Sequence, residues 1–288
     1  MKTKSQIMKK NSKIITLAIT LALISSGAFA QGLHPYKQKF ADMQTWAPTA
    51  PKDINLKNFR PYRAVYGRTY TNARGEKVND QIIMSAQYVY WYGKRVILFE
   101  YHDVGAKEFH DTNARTQFYY LDEKTLQMYM AVGPKAGTPQ DYTSVRVLED
   151  KITTSRLNTS TGEVDFKELK TSAPSFGFRQ LRFLMWGAMD LEVGKKIKLQ
   201  PLYNAPSAQS TLAAGIVTDQ VDFTMPDKTK KRPFIVENTN NPTSAIMHQF
   251  HIINEAPYVL AQGLYNADQK KVTSWWLKLQ HFEYLDEK

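Results

Sequence analysis

The sequence contains no cysteine among its 288 residues, and this absence excludes several kinds of protein. A chain without cysteine forms no disulfide bonds, so its stability must come from burying an apolar core. Disulfide-rich secreted domains are therefore disfavoured. Catalysis by a thiol and a bacterial lipid anchor on cysteine are both impossible.

The short motifs of common active sites are also missing. The sequence has no G-x-S-x-G nucleophile elbow, no H-E-x-x-H zinc motif, no P-loop and no G-x-G-x-x-G dinucleotide motif. No catalytic residue can be assigned from such a pattern. The activity is therefore uncertain, with a non-enzymatic role favoured, and no cofactor is predicted.

The nearest candidate for metal binding is the segment EYHDVGAKEFHD, which contains Glu100, His102, Asp103, His110 and Asp111. Adjacent residues of a strand point to opposite faces of the sheet, so two neighbours in this segment cannot easily share one ion. The same reasoning separates His248 from His251, which are three residues apart on a predicted strand. No metal site is predicted.

No apolar run in the N-terminal region is long enough to cross a membrane, which takes about 20 residues. Residues 14–24 form an apolar stretch that follows five lysines and precedes Ala28-Phe29-Ala30. This order is typical of a secretory signal peptide with a small-x-small cleavage site. We expect residues 1–30 to be removed after Ala30.

Charge and export together indicate a location. The net charge of +11 falls to +6 when the five lysines of the signal peptide are removed, so the mature chain is only mildly basic. Nothing in that charge predicts a nucleic-acid partner. An exported chain without cysteine is typical of a bacterial periplasm, and we expect this protein to be secreted into the cell envelope.

Most of the chain from Arg60 onward alternates with the period of β-strands, with turn residues between short segments. The pattern predicts a mainly β protein of at least nine strands, arranged as a curved antiparallel meander that forms an unclosed or partial β-barrel. We expect one domain over residues 59–288. Residues 31–58 form a proline-containing lead-in, which the spacing of its apolar residues allows to be either a short amphipathic helix or a flexible leader.

Two adjacent segments, 82–92 and 95–103, predict a hairpin. A two-residue turn at Gly93-Lys94 of type II′ would pair Trp91 with Val96 and Tyr88 with Phe99. Both faces of this hairpin are apolar over much of their length, whereas a half-exposed sheet would have one polar face. We expect the hairpin to be covered on both sides or to line an apolar cavity.

The segment SFGFRQLRFLMWGAMD, residues 175–190, is apolar at helical spacing on nearly every side. It predicts one helix over residues 176–189, buried all round. Such a helix either crosses the concave side of the curved sheet as one wall of a ligand cavity or fills a dry core. Candidate ligand-binding residues are Tyr88, Tyr90, Phe99, Phe183, Met185, Trp186 and Met189.

The order of these elements resembles a known superfamily. A signal peptide, an antiparallel meander and one mid-chain helix are followed by LEVGKKIKL, PFIVE and APYVLAQGLYN. This layout resembles uncharacterised periplasmic proteins akin to the LolA/LolB-like superfamily of lipoprotein carriers. The resemblance implies an unclosed β-barrel covered by helices and a ligand that is a lipid or an acyl chain. The lead-in departs from that layout.

Two classes of function remain open from the sequence. One is a periplasmic carrier or binding protein for an apolar small molecule or lipid, with an apolar pocket and few titratable groups. The other is an envelope hydrolase or a glycan-binding module with an aromatic-lined cleft. The oligomeric state cannot be inferred.

The turn MPDKTKKRP carries a cluster of basic residues at a predicted hairpin tip: Lys228, Lys230, Lys231 and Arg232. Such a cluster either contacts the anionic headgroups of a membrane surface or serves as a solvated loop. Membrane contact is the sharper hypothesis.

Overall fold

The computed structural model describes residues 34–71, 75–104, 116–135, 138–170, 181–204, 209–239 and 245–285. The expected signal peptide and two of the residues considered as metal ligands, His110 and Asp111, lie outside these ranges. Within the described residues the chain is mainly β, as the alternating pattern predicts. No helix in this part of the chain is long and apolar enough to cross a membrane.

The strands run in order along the chain. Their bounds are β1 Tyr62–Thr71, β2 Lys77–Trp91, β3 Lys94–Val104, β4 Thr116–Asp122, β5 Met128–Lys135, β6 Thr138–Val147, β7 Lys151–Asn158, β8 Val164–Lys170, β9 Lys196–Asn204, β10 Gln209–Gln220, β11 Phe223–Thr224, β12 Lys230–Lys231, β13 Phe234–Asn238, β14 Ile246–Ile252, β15 Val259–Asn266 and β16 Lys271–Tyr284.

Fourteen of these strands form one antiparallel sheet in the order β8-β7-β6-β5-β4-β3-β2-β1-β16-β15-β14-β13-β10-β9. Most neighbours in this order are also neighbours in sequence, which is the signature of a meander. The pairing of β1 with β16 joins the first and last strands at the middle of the sheet. The sheet is not closed, so β8 and β9 form its two edges.

One face of the sheet, here called the core face, carries the larger apolar cluster. Alternate residues of the central strands, such as Tyr66, Ile82 and Phe99, are fully buried in that cluster. The period-two pattern produces this face because successive side chains of a strand point to opposite sides. The other face, here called the second face, carries a smaller cluster.

The β2–β3 hairpin has a different register from the expected one. Val89 pairs with Val96 and Tyr88 pairs with Ile97, a shift of two residues from the prediction. The turn consists of Tyr92 and Gly93, which both have positive φ, at 49° and 76°. Two positive values are the mark of a type I′ turn, so the expected Gly93-Lys94 turn of type II′ was wrong. A shift of two preserves the assignment of side chains to faces.

The lead-in is neither an α-helix nor a free leader over its described part. It contains 3-10 helices at Pro35–Phe40, Met43–Thr45 and Pro51–Asp53. Phe40 and Trp46 are buried against residues of β10 and β14 on the second face. The apolar spacing of Tyr36, Phe40, Met43 and Ala47 predicted the packed side only in part, because Phe40 is buried whereas Tyr36 and Ala47 are exposed.

The lead-in then passes the edge strand β9 on its way to the core face. The Thr49 amide donates to the Lys198 carbonyl (2.8 Å), and the Lys198 ammonium donates to the carbonyls of Gln44 (2.7 Å) and Trp46 (3.2 Å). Ile54 reaches the core cluster beyond the edge. One edge of the sheet is thus covered by the chain itself, as an edge strand requires.

The mid-chain helix is shorter in the structure than the predicted 176–189. Helix α1 spans Arg182–Gly187 and all six of its residues are buried. Residues 176–180 of the prediction lie outside the described residues. The expectation of a helix buried all round is confirmed for α1, which contacts β14 and β15.

Neighbouring segments fix the C-terminal end of α1. A Cβ atom at Gly187 would overlap the ring of Tyr258, so only glycine permits this close approach. The Asn254 side chain donates to the carbonyls of Gly187 (3.1 Å) and Met189, and the Asn55 amide donates to the Ala188 carbonyl (2.6 Å). Orphan carbonyls at the helix end are thereby satisfied.

Candidate functional site: buried polar groups beside α1

The structure brings most of the predicted ligand-binding residues into the core cluster. Five of them are buried there, Tyr88 is partly buried against the same cluster, and Tyr90 is 79% exposed. The five are Phe99, Phe183, Met185, Trp186 and Met189. Their role toward a ligand stays a prediction, and the position of Tyr90 sets it apart from the others.

Phe250 on β14 is the apolar centre beneath α1. Its ring lies edge-on to Trp186, with centroids 4.8 Å apart, and 5.7 Å from Phe183. The guanidinium of Arg182 lies 5.0 Å from the Phe250 ring centroid. A cation at this distance from an aromatic face is attracted to the ring, and more so when both are buried.

Three buried polar atoms of uncharged side chains around this centre have no hydrogen-bond partner among the described residues. They are Nε1 of Trp186, Oδ1 of Asn238 and Oε1 of Gln262. The three residues are between 0% and 3% exposed. An unpaired polar atom in such a place costs about 1–3 kcal/mol, so it calls for an explanation.

The strand register places these residues on one face. Asn238 pairs with His248, and Phe250 pairs with Gln262, so all four share the core face across β13, β14 and β15. The Gln262 amide nitrogen lies 3.1 Å from Nδ1 of His248. We call Trp186, Asn238 and Gln262 the polar cluster.

Gly215 extends this surface onto β10. It pairs with Asn238, and a Cβ atom there would lie 2.9 Å from a methyl group of Val236 and 3.5 Å from the Trp186 ring. The close contact is the one with Val236, whereas the distance to the indole would be an ordinary van der Waals contact. Asn238 is oriented in turn by its amide group, which donates to the Ala214 carbonyl (2.6 Å).

Sequence reasoning identified Trp186 but missed Asn238 and Gln262. Both are polar residues at core-face positions of strands that are otherwise apolar, Asn238 two residues after Val236 and Gln262 two residues after Leu260. That break in the inward-facing pattern was visible in the sequence. It could not be assigned to a site, because the sequence does not show that Gln262 on β15 pairs with Phe250, which lies 12 residues earlier on β14.

A second group of buried polar side chains lies elsewhere on the core face, where β1, β2 and β3 meet. Arg68 donates to Asp80 from Nε (2.7 Å) and from a terminal nitrogen, and it donates to Asp103 (3.1 Å). All three side chains are at most 1% exposed. Burial alone would lower the pKa of Arg68, but its bonds to Asp80 and the charge of Asp103 hold that pKa above its usual value.

The histidines considered as metal ligands lie in separate surroundings. His248 stacks on Phe250 on the core face, whereas His251 lies edge-on to Phe223 and Trp275 on the second face. Their predicted separation is confirmed. His102 and Asp103 are separated in the same way. No group of three or more potential ligands for a metal occurs among the described residues.

The basic turn forms the hairpin tip that was expected, with β11 paired to β12. Lys231 makes an ion pair with Glu255 (2.6 Å), and Arg232 lies 3.6 Å from Asp222. Lys228 and Lys230 are exposed and make no ion pair with a residue in the described part of the chain. Two of the four cations are thus partly neutralised by acidic neighbours.

Comparison with known proteins adds no assignment. No model of a protein family matches this chain, and no curated protein sequence matches it. The function must therefore be inferred from the geometry of the molecule.

Proposed function

We propose that this protein is a non-enzymatic binding or carrier protein for an amphiphilic ligand, with an apolar lipid or acyl chain and a polar head, in the cell envelope. The polar cluster beside α1 is the observation that carries this proposal. Its three unpartnered atoms lie among aromatic and aliphatic side chains that form the rest of the core face.

The cluster has the composition of a site that orients a largely apolar ligand. Such sites are lined by apolar side chains with a few polar groups that fix the ligand head. The Trp186 indole N–H can donate to a ligand oxygen, while the free oxygens of Asn238 and Gln262 can accept from a ligand hydroxyl or amide. A head with both donors and acceptors would satisfy all three atoms.

The predicted wall residues suit the apolar part of the ligand. Met185, Met189 and Phe183 flank the cluster on α1 and just beyond it, and methionine adapts to chains of variable shape. Phe99 and Tyr88 would extend the same wall along β2 and β3. Tyr90 would contact a ligand only at the exposed end of that hairpin.

The proposed architecture is an unclosed, curved sheet with α1 over its concave side. One core cluster that joins α1 to residues from β1 through β16 supports it. The resemblance to LolA/LolB-like carriers would imply the same arrangement. Export by the signal peptide and a periplasmic location belong to this proposal, with contact between the basic turn and an anionic membrane surface as a further part.

Titration with a fluorescent fatty-acid amide tests this function. We expect wild type to bind the probe saturably, and Gln262→Leu to bind at least tenfold more weakly, which is about 1.4 kcal/mol. The leucine removes the unpaired oxygen but also the contact of the Gln262 amide nitrogen with His248, so the two effects on the free energy of unfolding oppose each other and the net change should be small.

The matched control is Gln249→Leu, which makes the same change on β14 but on the second face. This control should leave the affinity of the probe unchanged. Failure of wild type to bind any acyl probe, or equal weakening by both substitutions, would contradict the proposed function.

A further inference from the structure

The two edges of the large sheet are treated differently by the chain. The lead-in covers β9 with a backbone hydrogen bond and buried lysine contacts. At the opposite edge, β8 is exposed over six of its seven residues. An uncovered edge strand presents unpaired N–H and C=O groups to any strand that can add to it.

The exposed side of β8 continues an apolar row across three strands. Tyr142 pairs with Leu157, and Leu157 pairs with Val164, so the three side chains lie side by side. Val164 is 63% exposed and Phe166, two residues further along β8, is 61% exposed. This row lies on the second face, because Leu169 of the opposite parity packs against the core.

The backbone of β8 is oriented for pairing. The Asn158 amide donates to the Glu163 carbonyl (2.9 Å), so these two residues form a hydrogen-bonded pair. Hydrogen-bonded and non-hydrogen-bonded pairs alternate along an antiparallel ladder. The N–H and C=O groups of Val164, Phe166 and Glu168 therefore point away from β7, toward the open edge.

We propose that a second copy of this chain adds its β8 to this edge, antiparallel, with Phe166 opposite Phe166 of the second copy. The contact would join two sheets into one and cover the apolar row from both sides. A two-fold contact of this kind is self-complementary, since each copy presents the same surface.

Among the registers that set the apolar residues Val164 and Phe166 within the β8 of the second copy, charge selects the centre on Phe166. A centre on Asp165, Lys167 or Glu168 would set two like charges directly opposite, and a centre on Val164 would set Asp165 opposite an acidic residue. The centre on Phe166 sets Asp165 opposite Lys167 at two symmetric places and leaves no like charges opposite. Opposite charges across strands stabilise the pair, and like charges destabilise it.

The experiment is sedimentation velocity of the full chain over a range of concentrations. Wild type should form a dimer. Phe166→Lys should weaken the dimer at least tenfold, since it places two cations at the two-fold axis. Tyr92→Lys, at a position 88% exposed on the β2–β3 turn, is the control that should leave the dimer unchanged.

A charge exchange tests the register itself. Asp165→Lys alone sets lysines opposite lysines, and Lys167→Asp alone sets aspartates opposite aspartates, so each should weaken the dimer. The double variant restores opposite charges and should restore the dimer. These positions are exposed, so circular dichroism should show an unchanged fold in all of the variants.

A wild type that stays monomeric at the highest concentration would overturn the proposal. A dimer that resists Phe166→Lys would place the interface elsewhere and would also overturn it. If the double variant dimerises as weakly as the single variants, the proposed register is wrong. The charge argument for a second copy as the partner would then also fail.

Discussion

Two groups of buried polar side chains lie on the core face, and they differ in their hydrogen bonds. Arg68 donates to both Asp80 and Asp103 across three adjacent strands, so each charge in this group has an opposite charge beside it, although Oδ2 of Asp103 accepts no hydrogen bond from a described residue. The polar cluster of Trp186, Asn238 and Gln262 holds three atoms without a hydrogen bond in the described part of the chain. Both groups are almost completely buried, so the difference does not come from solvent.

The comparison separates a structural role from a binding role. A buried charge is stable only when it is paired, and the partners of Arg68 account for its presence in the core. Unpaired atoms lower the stability of the protein, so the polar cluster is not explained by folding. A ligand that pairs with these atoms, as the proposed function requires, would explain them.

The largest effect should follow from breaking the first group. Arg68→Met leaves two buried carboxylates without their cation, so we expect a loss of about 3–5 kcal/mol in the free energy of unfolding. Denaturant unfolding measures this loss, and titration of the folded variant should give the affinity of wild type for the acyl probe. Unchanged stability would show that the carboxylates are not held by Arg68.

An acid titration tests a third buried group, His251, whose effect on the free energy of unfolding depends on pH. Burial lowers the pKa of His251 from 6.5 to about 4. The unfolded chain therefore binds a proton that the folded chain does not, and stability should fall between pH 6.5 and pH 4 by up to about 3 kcal/mol.

The group responsible can be identified by substitution. Lys278 lies in the same cross-strand row as His251, through Ala261. His251→Phe should remove most of the fall that is specific to this interval, measured by unfolding at each pH. An equal fall in the variant would assign the acid sensitivity to other groups.

A subtle change in the polar cluster should have a smaller effect on stability and a clear effect on binding. Trp186→Phe removes the unpaired N–H while retaining an aromatic ring, so we expect a change in the free energy of unfolding within about 1.5 kcal/mol. The affinity for a probe with a hydrogen-bonding head should fall.

Trp186→Ala is the matched comparison for packing. It should cost about 3–5 kcal/mol if the indole acts only as core, and much less if it faces a ligand site. Wild-type affinity in Trp186→Phe together with a full core penalty in Trp186→Ala would assign the indole to a dry core.

The smallest effect concerns paired and unpaired charges at the surface. Replacing Lys228 and Lys230 by serine should weaken binding to anionic vesicles by about 1 kcal/mol for each lysine. The same change at Lys231 and Arg232 should weaken it less, because both have acidic neighbours. Co-sedimentation at low and high salt measures this, and salt-independent binding would contradict an electrostatic contact.

Much of the fold could be predicted because alternation is a local property. The strands, the two faces of the β2–β3 hairpin and the buried character of α1 all follow from nearby residues. The hairpin register could not be predicted by the same means, since Tyr92 adopts a positive φ that disfavours most side chains. The packing of the lead-in also escaped prediction, because its partners lie on β10 and β14.

The candidate site was predictable only in its apolar part. Trp186 and its neighbours were identified from the helical pattern. Asn238 and Gln262 could not be joined to them, because the sequence does not show which strands are adjacent. The side-chain oxygens of these two residues lack hydrogen bonds from the described residues only because of how the strands and α1 pack in the folded protein, and no pattern in the nearby sequence indicates this.

Native mass spectrometry of the protein purified from the cells that produce it, combined with solvent extraction, tests the binding role most directly. The wild-type protein should carry the excess mass of an amphiphile, and the extract should contain that compound. Gln262→Leu should carry much less of it, while Gln249→Leu should carry as much as wild type. A wild-type protein with only the mass of its polypeptide, and an extract free of amphiphile, would contradict the proposed site.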